Sequence, residues 1–145
     1  MRVSALNDAA PILVVEAATA QGSVALLGGG SAPRVRVVTM GVGREDQLFP
    51  AMQSLLVEAG LAPRDLGAVV CGAGPGSFTS LRIAASLAKG LAHGTGSPLY
   101  AVPSLLLAAA ALADDTPIGR YLVHADAVRG EGYVQPVLRL ADGRV

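Results

Sequence analysis

The sequence predicts an α/β domain built on a mixed sheet, and two features of the chain point to it. Three short apolar runs near the start are separated by turn residues, which is typical of an antiparallel meander. Beyond them, segments with a helical spacing of apolar residues alternate with further apolar runs, and parallel strands need helical crossovers of this kind. The predicted order of elements is therefore βββαβαβα.

The opening meander consists of three predicted strands. They span Ile12 to Glu16, Ser23 to Leu27, and Arg34 to Thr39. The third alternates polar and apolar residues, as a half-exposed strand does. Glu16 is interpreted as a polar residue at the end of the first strand, with a functional role as the alternative.

The first helix is predicted between Glu45 and Ala59, where apolar residues recur with a period near 3.6. Pro50 requires this helix to begin late or to bend, and Gly60 is a natural end. The elements that follow are a strand over Gly67 to Cys71, a helix over Ser77 to His93, a strand over Leu99 to Val102 and a helix over Ser104 to Ala113.

A second meander begins after the break at residues 114–117, with strands over Tyr121 to Ala125 and Gly132 to Leu140. A lone hairpin is marginal in water, so we expect it to be poorly ordered or paired with another chain. The predicted organisation is a flexible leader (1–11), one domain (12–116) and the start of an incomplete second domain (117–145).

Composition excludes several classes of protein. The 145 residues are 52% hydrophobic, and 11 basic side chains balance 11 acidic ones without forming a basic block, so the chain is not expected to bind nucleic acid unaided. No apolar stretch is long enough to span a bilayer, and the single Cys71 fits a reducing cytoplasm, either as a buried small hydrophobe or as a reactive thiol.

The glycine-rich segment 72–82 lies between a predicted strand and a predicted helix. It lacks the Gly-Lys-Ser/Thr of a phosphate loop and the third glycine of a dinucleotide fingerprint, and Pro75 removes one backbone donor. A nucleophile elbow is excluded because Thr79 stands where that motif has glycine. Two interpretations remain open: an anion site, or a turn that delivers Ser77 as the N-cap of the next helix.

Neither a catalytic group nor a metal site is predicted, and no cofactor is expected. His93 and His124 have no ligand neighbour at metal spacing. Asp126, Arg129 and Glu131 surround a predicted turn, where they are interpreted as a turn-stabilising network rather than as catalytic residues.

Four segments together resemble the TsaB/YeaZ family. They are residues 12–26, 48–52, 126–133 and, most specifically, GPGSFTSLRI at 74–83. The signature loop and helix start comprise Gly74, Pro75, Gly76, Ser77, Phe78, Thr79 and Arg82. The chain departs from the family at three points: Glu16 replaces an Asp, Ser80 replaces a Gly, and a His ahead of the first helix is missing.

The resemblance implies an actin-like (sugar kinase/Hsp70-type) domain, normally duplicated, so that 117–145 would be the first strands of a truncated second copy. It also implies a non-catalytic scaffold subunit for threonylcarbamoyl transfer to adenosine 37 of tRNAs decoding ANN codons. The implied partners are a TsaD-type catalytic paralogue and a TsaE-type ATPase, a homodimer when alone, and tRNA only through the complex. The alternatives are a peptidase or chaperone-like hydrolase, and an ATP-binding sugar-kinase fragment.

The helix over 77–93 divides its surface into three arcs. The bulky arc of Ile83, Leu87 and Leu91 is expected to pack on the sheet, and the arc of Thr79, Arg82, Ser86, Lys89 and His93 is polar. The small-residue arc, with the first helix, forms the predicted partner interface: Leu48, Met52, Leu55, Leu81, Ala84, Ala85 and Ala88. The alternative is that the chain's own first helix fills that arc.

Overall fold

A five-stranded mixed sheet with two helices on one face is followed by a separate two-stranded sheet. The computed structural model describes residues 10–41, 47–110, 116–127 and 130–145. The elements in chain order are β1 Ile12–Glu16, β2 Gln21–Leu27, β3 Arg34–Thr39, α1 Leu48–Ala59, the 3-10 turn Pro63–Asp65, β4 Ala68–Gly72, α2 Phe78–Thr95, β5 Leu99–Val102, α3 Ser104–Ala110, β6 Gly119–Asp126 and β7 Gly132–Arg139. The predicted α/β class is confirmed.

The strand order of the larger sheet is β3-β2-β1-β4-β5. β2 pairs antiparallel with β1 and β3, while β4 pairs parallel with β1 and β5. The sheet is therefore mixed, as predicted, because the meander supplies the antiparallel half and the helical crossovers supply the parallel half.

One face of this sheet holds the core. Alternate residues of β1, Leu13 and Val15, are fully buried because successive side chains of a strand point to opposite faces. Leu55 of α1 and Val69 of β4 are buried equally completely, and all four belong to a single apolar cluster. The same cluster continues into α2, so both helices cover this face.

The opposite face carries an apolar row that crosses all five strands. The register places Val35, Ala25, Val14, Val70 and Tyr100 side by side, from β3 to β5. The two ends of the row are exposed, at 52% for Val35 and 56% for Tyr100. The two faces of the sheet thus differ in how far they are covered.

Helix α1 begins at Leu48, so that Pro50 lies in the first turn, where its missing N–H removes no helical hydrogen bond. The predicted start at Glu45 lies outside the described residues. Gly60 ends the helix in the left-handed region, with a φ of 68°. Leu48, Met52 and Leu55 are buried in the chain's own core, so their assignment to a partner interface is wrong.

Helix α2 begins after Ser77 and extends to Thr95, two residues beyond its predicted end. Its buried stripe consists of Ser80, Ala84, Ala88 and Ala92, which face β4 and β1. With 18 residues α2 is the longest described helix, and within the described residues no helix combines the length and apolar character that a membrane span requires.

The prediction that the bulky arc packs on the sheet is wrong. The small side chains Ala84 and Ala88 are fully buried there, because they let the helix backbone approach the strands closely. Ile83, Leu87 and Leu91 are only half-buried along the flank. Ala84 and Ala88 therefore belong to the chain's own core, while Leu81 and Ala85 are half-buried on the other flank.

The hairpin of β6 and β7 packs one face against α3. Val137 and Arg139 are buried on that face, and Arg139 Nε donates to the carbonyl of Thr116 at 2.9 Å. The outer face exposes Leu122, Val134 and Leu138, at 72%, 54% and 50%. That the hairpin begins a second domain stays a prediction.

Of the predicted flexible leader, the structure describes only Ala10 and Pro11. Pro11 is buried, and its carbonyl accepts a hydrogen bond of 2.7 Å from the N–H of Gly67. The chain is therefore attached to the sheet one residue before β1 begins.

Candidate functional site

The signature loop between β4 and α2 is attached on one side to the start of α3. The Gly74 N–H donates to Ser104 Oγ at 3.0 Å, and the Ser104 N–H donates back to the Gly74 carbonyl at 2.8 Å. The neighbouring Ala73 N–H donates to the carbonyl of Val102 at 2.8 Å. Ser104 is itself buried, so this two-point attachment is shielded from water.

On its other side the loop contacts the turn between β1 and β2. The Ser77 N–H donates to the carbonyl of Ala18 at 2.9 Å. A Cβ at Gly76 would collide with the backbone of Ala18, so only glycine permits this approach. The backbone of the β1–β2 turn thus occupies the space directly beside the loop.

The side chain of Glu16 forms a hydrogen bond within the same turn. One carboxylate oxygen accepts from the Ala18 N–H at 2.6 Å, and the other is buried with no hydrogen-bond partner in the described part of the chain. A Cβ at Gly72 would collide with this carboxylate. Burial, with a contribution from the Glu16 charge, raises the pKa of Cys71, which fits a buried thiol rather than a reactive thiolate.

These contacts favour the interpretation of the loop as a turn that delivers the N-cap of α2. Ser77 is the N-cap of α2, and its hydroxyl accepts from the Ser80 N–H at 3.5 Å, as predicted. The amides of Gly74 and Ser77, which a phosphate would need, already donate within the chain, and Pro75 has none. These three positions therefore offer a phosphate no free backbone donor.

A cleft of about 950 Å³ opens between the larger sheet and the hairpin. Its acidic and imidazole side chains are Glu16, His124 and Asp126, the Tyr133 phenol also lines it, and there is no Lys or Arg among the described residues of the lining. Phosphate groups are normally held by basic side chains and free backbone amides. The described lining therefore supplies none of the basic side chains that normally hold a phosphate.

The first turn of α2 presents an aromatic side chain to solvent. Phe78 is 74% exposed, and the guanidinium of Arg82 lies over its ring, 5.3 Å from the ring centre. This spacing falls within the range of a cation–π contact. The contact holds Arg82 and Phe78 together at the solvent-facing start of the helix.

The polar arc of α2 is exposed along its length, as predicted. It comprises Thr79, Arg82, Ser86, Lys89 and His93. The helix contains no Asp or Glu. Its outward face therefore carries positive charge without a compensating carboxylate on the same helix.

Helix α1 presents apolar side chains on its outward face. Phe49 is 49% exposed and Val57 is 78% exposed. Next to Val57, Glu58 accepts a 2.5 Å hydrogen bond from Arg36 of β3 and a 2.8 Å bond from Ser54. The Ser54 hydroxyl and then the Arg36 guanidinium lower the pKa of Glu58.

The predicted second-domain turn joins β6 to β7. Asp126 ends β6, and the Ala127 N–H donates to the carbonyl of Glu131 at 3.0 Å across the turn. Arg129 lies outside the described residues. No group of three His, Cys, Asp or Glu side chains within the described ranges is placed to hold a metal ion.

The structure brings the signature residues together but divides the predicted interface. Residues 74–82 form one loop and helix start, whereas Leu48, Met52, Leu55, Ala84 and Ala88 lie in the core. Sequence reasoning missed Ser104 as the anchor of the loop, since a lone serine after proline gives no signal of a long-range bond. It also did not identify Val57 as an exposed apolar residue, because this position lies outside the helical pattern of apolar residues.

Comparison with known families shows what the chain is similar to. The family described as TsaD, tRNA N6-adenosine threonylcarbamoyltransferase, matches residues 44–143. The TsaB of Escherichia coli K12, a tRNA threonylcarbamoyladenosine biosynthesis protein, is 33% identical over 122 residues, which cover 84% of this chain and 52% of the relative. The TsaB of Haemophilus influenzae is 29% identical, over 88% of this chain and 54% of its own.

A solved structure agrees with these sequence relatives. YeaZ from Pseudomonas aeruginosa superposes with a TM-score of 0.83 at 30% sequence identity, covering 94% of this chain and 63% of that chain. The chain spans about half the length of the curated relatives it matches.

Proposed function

The chain belongs to the TsaB (YeaZ) branch of the threonylcarbamoyltransferase-related family, and from that premise we propose that it is a non-catalytic partner subunit in making threonylcarbamoyladenosine on tRNA. The modification is placed at adenosine 37 of tRNAs that decode ANN codons. In this proposal the chain acts in the cytoplasm as a scaffold for a catalytic subunit.

The observation that carries the non-catalytic role is the filled signature loop. The backbone of Ala18 occupies the space beside Gly76, and Ser104 holds the amide of Gly74. Chemistry on a nucleotide would need these amides free and a basic side chain nearby. A scaffold needs neither.

The proposed partners are a TsaD-type catalytic paralogue and a TsaE-type ATPase, with a homodimer when the chain is alone. The balance of 11 basic and 11 acidic residues favours tRNA contact only through the complex. The contact surface is the outward face of α1 and α2, where Phe49, Val57 and Phe78 are exposed. This surface replaces the interface predicted from the sequence, whose central residues are buried.

Co-purification with the catalytic transferase of the same organism tests this function. The wild-type chain is expected to bind the transferase and to support formation of threonylcarbamoyladenosine in a reconstituted reaction. Val57→Glu should weaken binding at least tenfold, about 1.4 kcal/mol, because it places a charge in the apolar contact. Leu122→Glu, at a similarly exposed site on the hairpin, is the matched control.

Two results would contradict the proposal. The first is a wild-type chain that neither binds the transferase nor restores the modification. The second is ATP binding by the isolated chain with micromolar affinity, about −8 kcal/mol, in calorimetry. That result would favour the alternative of a nucleotide-binding sugar-kinase fragment.

A further inference from the structure

We propose that the outward face of α2 selects an acidic partner helix, and thereby favours a different chain over a second copy of this one. The inference rests on the proposed function, because it specifies the chemistry of the partner surface. It goes further in naming the side chains that discriminate between partners.

The selecting groups are Arg82 and Lys89. They are seven residues apart, so they lie on one side of α2, two turns or about 10 Å apart along the axis. Both are exposed, and neither has an ion pair with any residue that the structure describes. The face therefore carries two like charges on one side of the helix that no described residue compensates.

The surroundings of these charges are those of a contact surface. The Arg82 guanidinium lies over the Phe78 ring. This contact restricts the Arg82 side chain, so less side-chain entropy is lost when it binds a partner. On the neighbouring helix α1, Phe49 and Val57 are exposed, whereas Glu58 already pairs with Arg36. The two helices that cover one face of the sheet thus expose apolar side chains on α1 and two cations on α2, and a complementary partner of α2 carries carboxylates two helical turns apart.

Two-fold symmetry limits the charges that a second copy of this chain can bring to the interface, whereas a different chain is not limited in this way. A two-fold dimer uses the same surface on both subunits. A second copy then brings Arg82 and Lys89 without any carboxylate from α2, so two α2 helices that face each other gain no charge complementarity. A different chain with acidic residues gains charge complementarity in addition, which mainly raises the association rate and the specificity.

Charge reversal of both residues separates these cases. The variant Arg82→Glu/Lys89→Glu is expected to bind the transferase at least tenfold more weakly than wild type, with a smaller dependence of affinity on salt. Its homodimer, measured by light scattering across a dilution series, should be unchanged within about twofold, because reversing both subunits exchanges one pair of like charges for another. The control Arg64→Glu/Arg120→Glu makes the same change in net charge at exposed sites elsewhere. All variants are checked for an unchanged melting temperature.

Each other outcome overturns the inference. If the wild type binds the transferase but the reversal and added salt have no effect, the face does not select by charge, although the proposed function stands. If the reversal weakens only the homodimer, α2 faces a second copy. If the isolated chain retains tRNA at physiological salt and the reversal abolishes this, the outward face of α2 is an RNA surface. If the wild type does not bind the transferase, the proposed function fails, and this inference with it.

Discussion

The five-stranded sheet and the hairpin of β6 and β7 show the same alternation of side chains but bury them very differently. In the larger sheet, Leu13, Val15 and Val69 are fully buried beneath α1 and α2. In the hairpin, Val137 and Arg139 are the buried residues, and Leu122 on the outer face is 72% exposed. A period of two therefore identifies a strand and its two faces, but what covers each face depends on the rest of the fold.

The largest effect on stability is expected from a substitution in the core of the five-stranded sheet. Leu55→Ala should lower the free energy of unfolding by about 2–5 kcal/mol, because a fully buried side chain leaves a cavity. Leu122→Ala on the hairpin should change it by no more than about 0.5 kcal/mol. Urea denaturation followed by circular dichroism measures both. Equal losses would mean that the hairpin's outer face is covered in solution.

A smaller loss is expected at the contact between the signature loop and the β1–β2 turn. Gly76→Ala forces a methyl group against the Ala18 backbone and should cost about 1–3 kcal/mol. Gly90→Ala, on the exposed part of α2 with open space around it, should stabilise the chain by up to about 1 kcal/mol. The same denaturation assay compares the two. A neutral Gly76→Ala would show that the loop does not rest on the turn.

Ser104 links the two regions, because it holds the loop of the larger sheet and begins the helix that supports the hairpin. Ser104→Ala removes the acceptor of the Gly74 N–H and should cost about 1–2 kcal/mol. Amide exchange should accelerate at Gly74, and Ser104→Thr, which keeps the hydroxyl, is the control. Unchanged exchange would place the acceptor elsewhere.

The smallest effect concerns the exposed pair that joins α1 to the edge of the sheet. The pKa of Glu58 is lower in the folded chain than its ordinary value of 4.5. Its stabilising contribution is therefore complete above about pH 4.5 and is lost as the pH falls through the lower folded value. Arg36→Ala should reduce this pH dependence slightly, as thermal melts between pH 3 and 6 would show. An unchanged profile would mean that Ser54 alone shifts the pKa.

Sequence patterns predicted the strands and helices well because their signals are local. Runs of Val and Leu, the Ser77 cap and the Gly60 stop act over a few residues and sufficed for the bounds of most elements. The predicted orientation of α2 was wrong because the bulkiest apolar side chains of the helix were expected to be the most deeply buried. Ala84 and Ala88 are buried since their small side chains bring the helix close to the strands.

The site was predicted only in part because its decisive contacts join distant residues. The signature segment stood out through its own composition, whereas the bond between Gly74 and Ser104 spans 30 residues. Val57 and Phe49 are exposed on the helix that buries Leu48, Met52, Leu55 and Leu56, and the spacing of apolar residues along a sequence does not show which of them face solvent. Such positions emerge only once the helices are placed on the sheet.

The bond from Arg139 to the carbonyl of Thr116 joins the last residue of β7 to the segment just before β6. The entry and exit of the hairpin consequently lie side by side, like the two ends of a closed loop. The chain thus enters β6 and leaves β7 at one place, held there by a side-chain bond as well as by the pairing of the two strands.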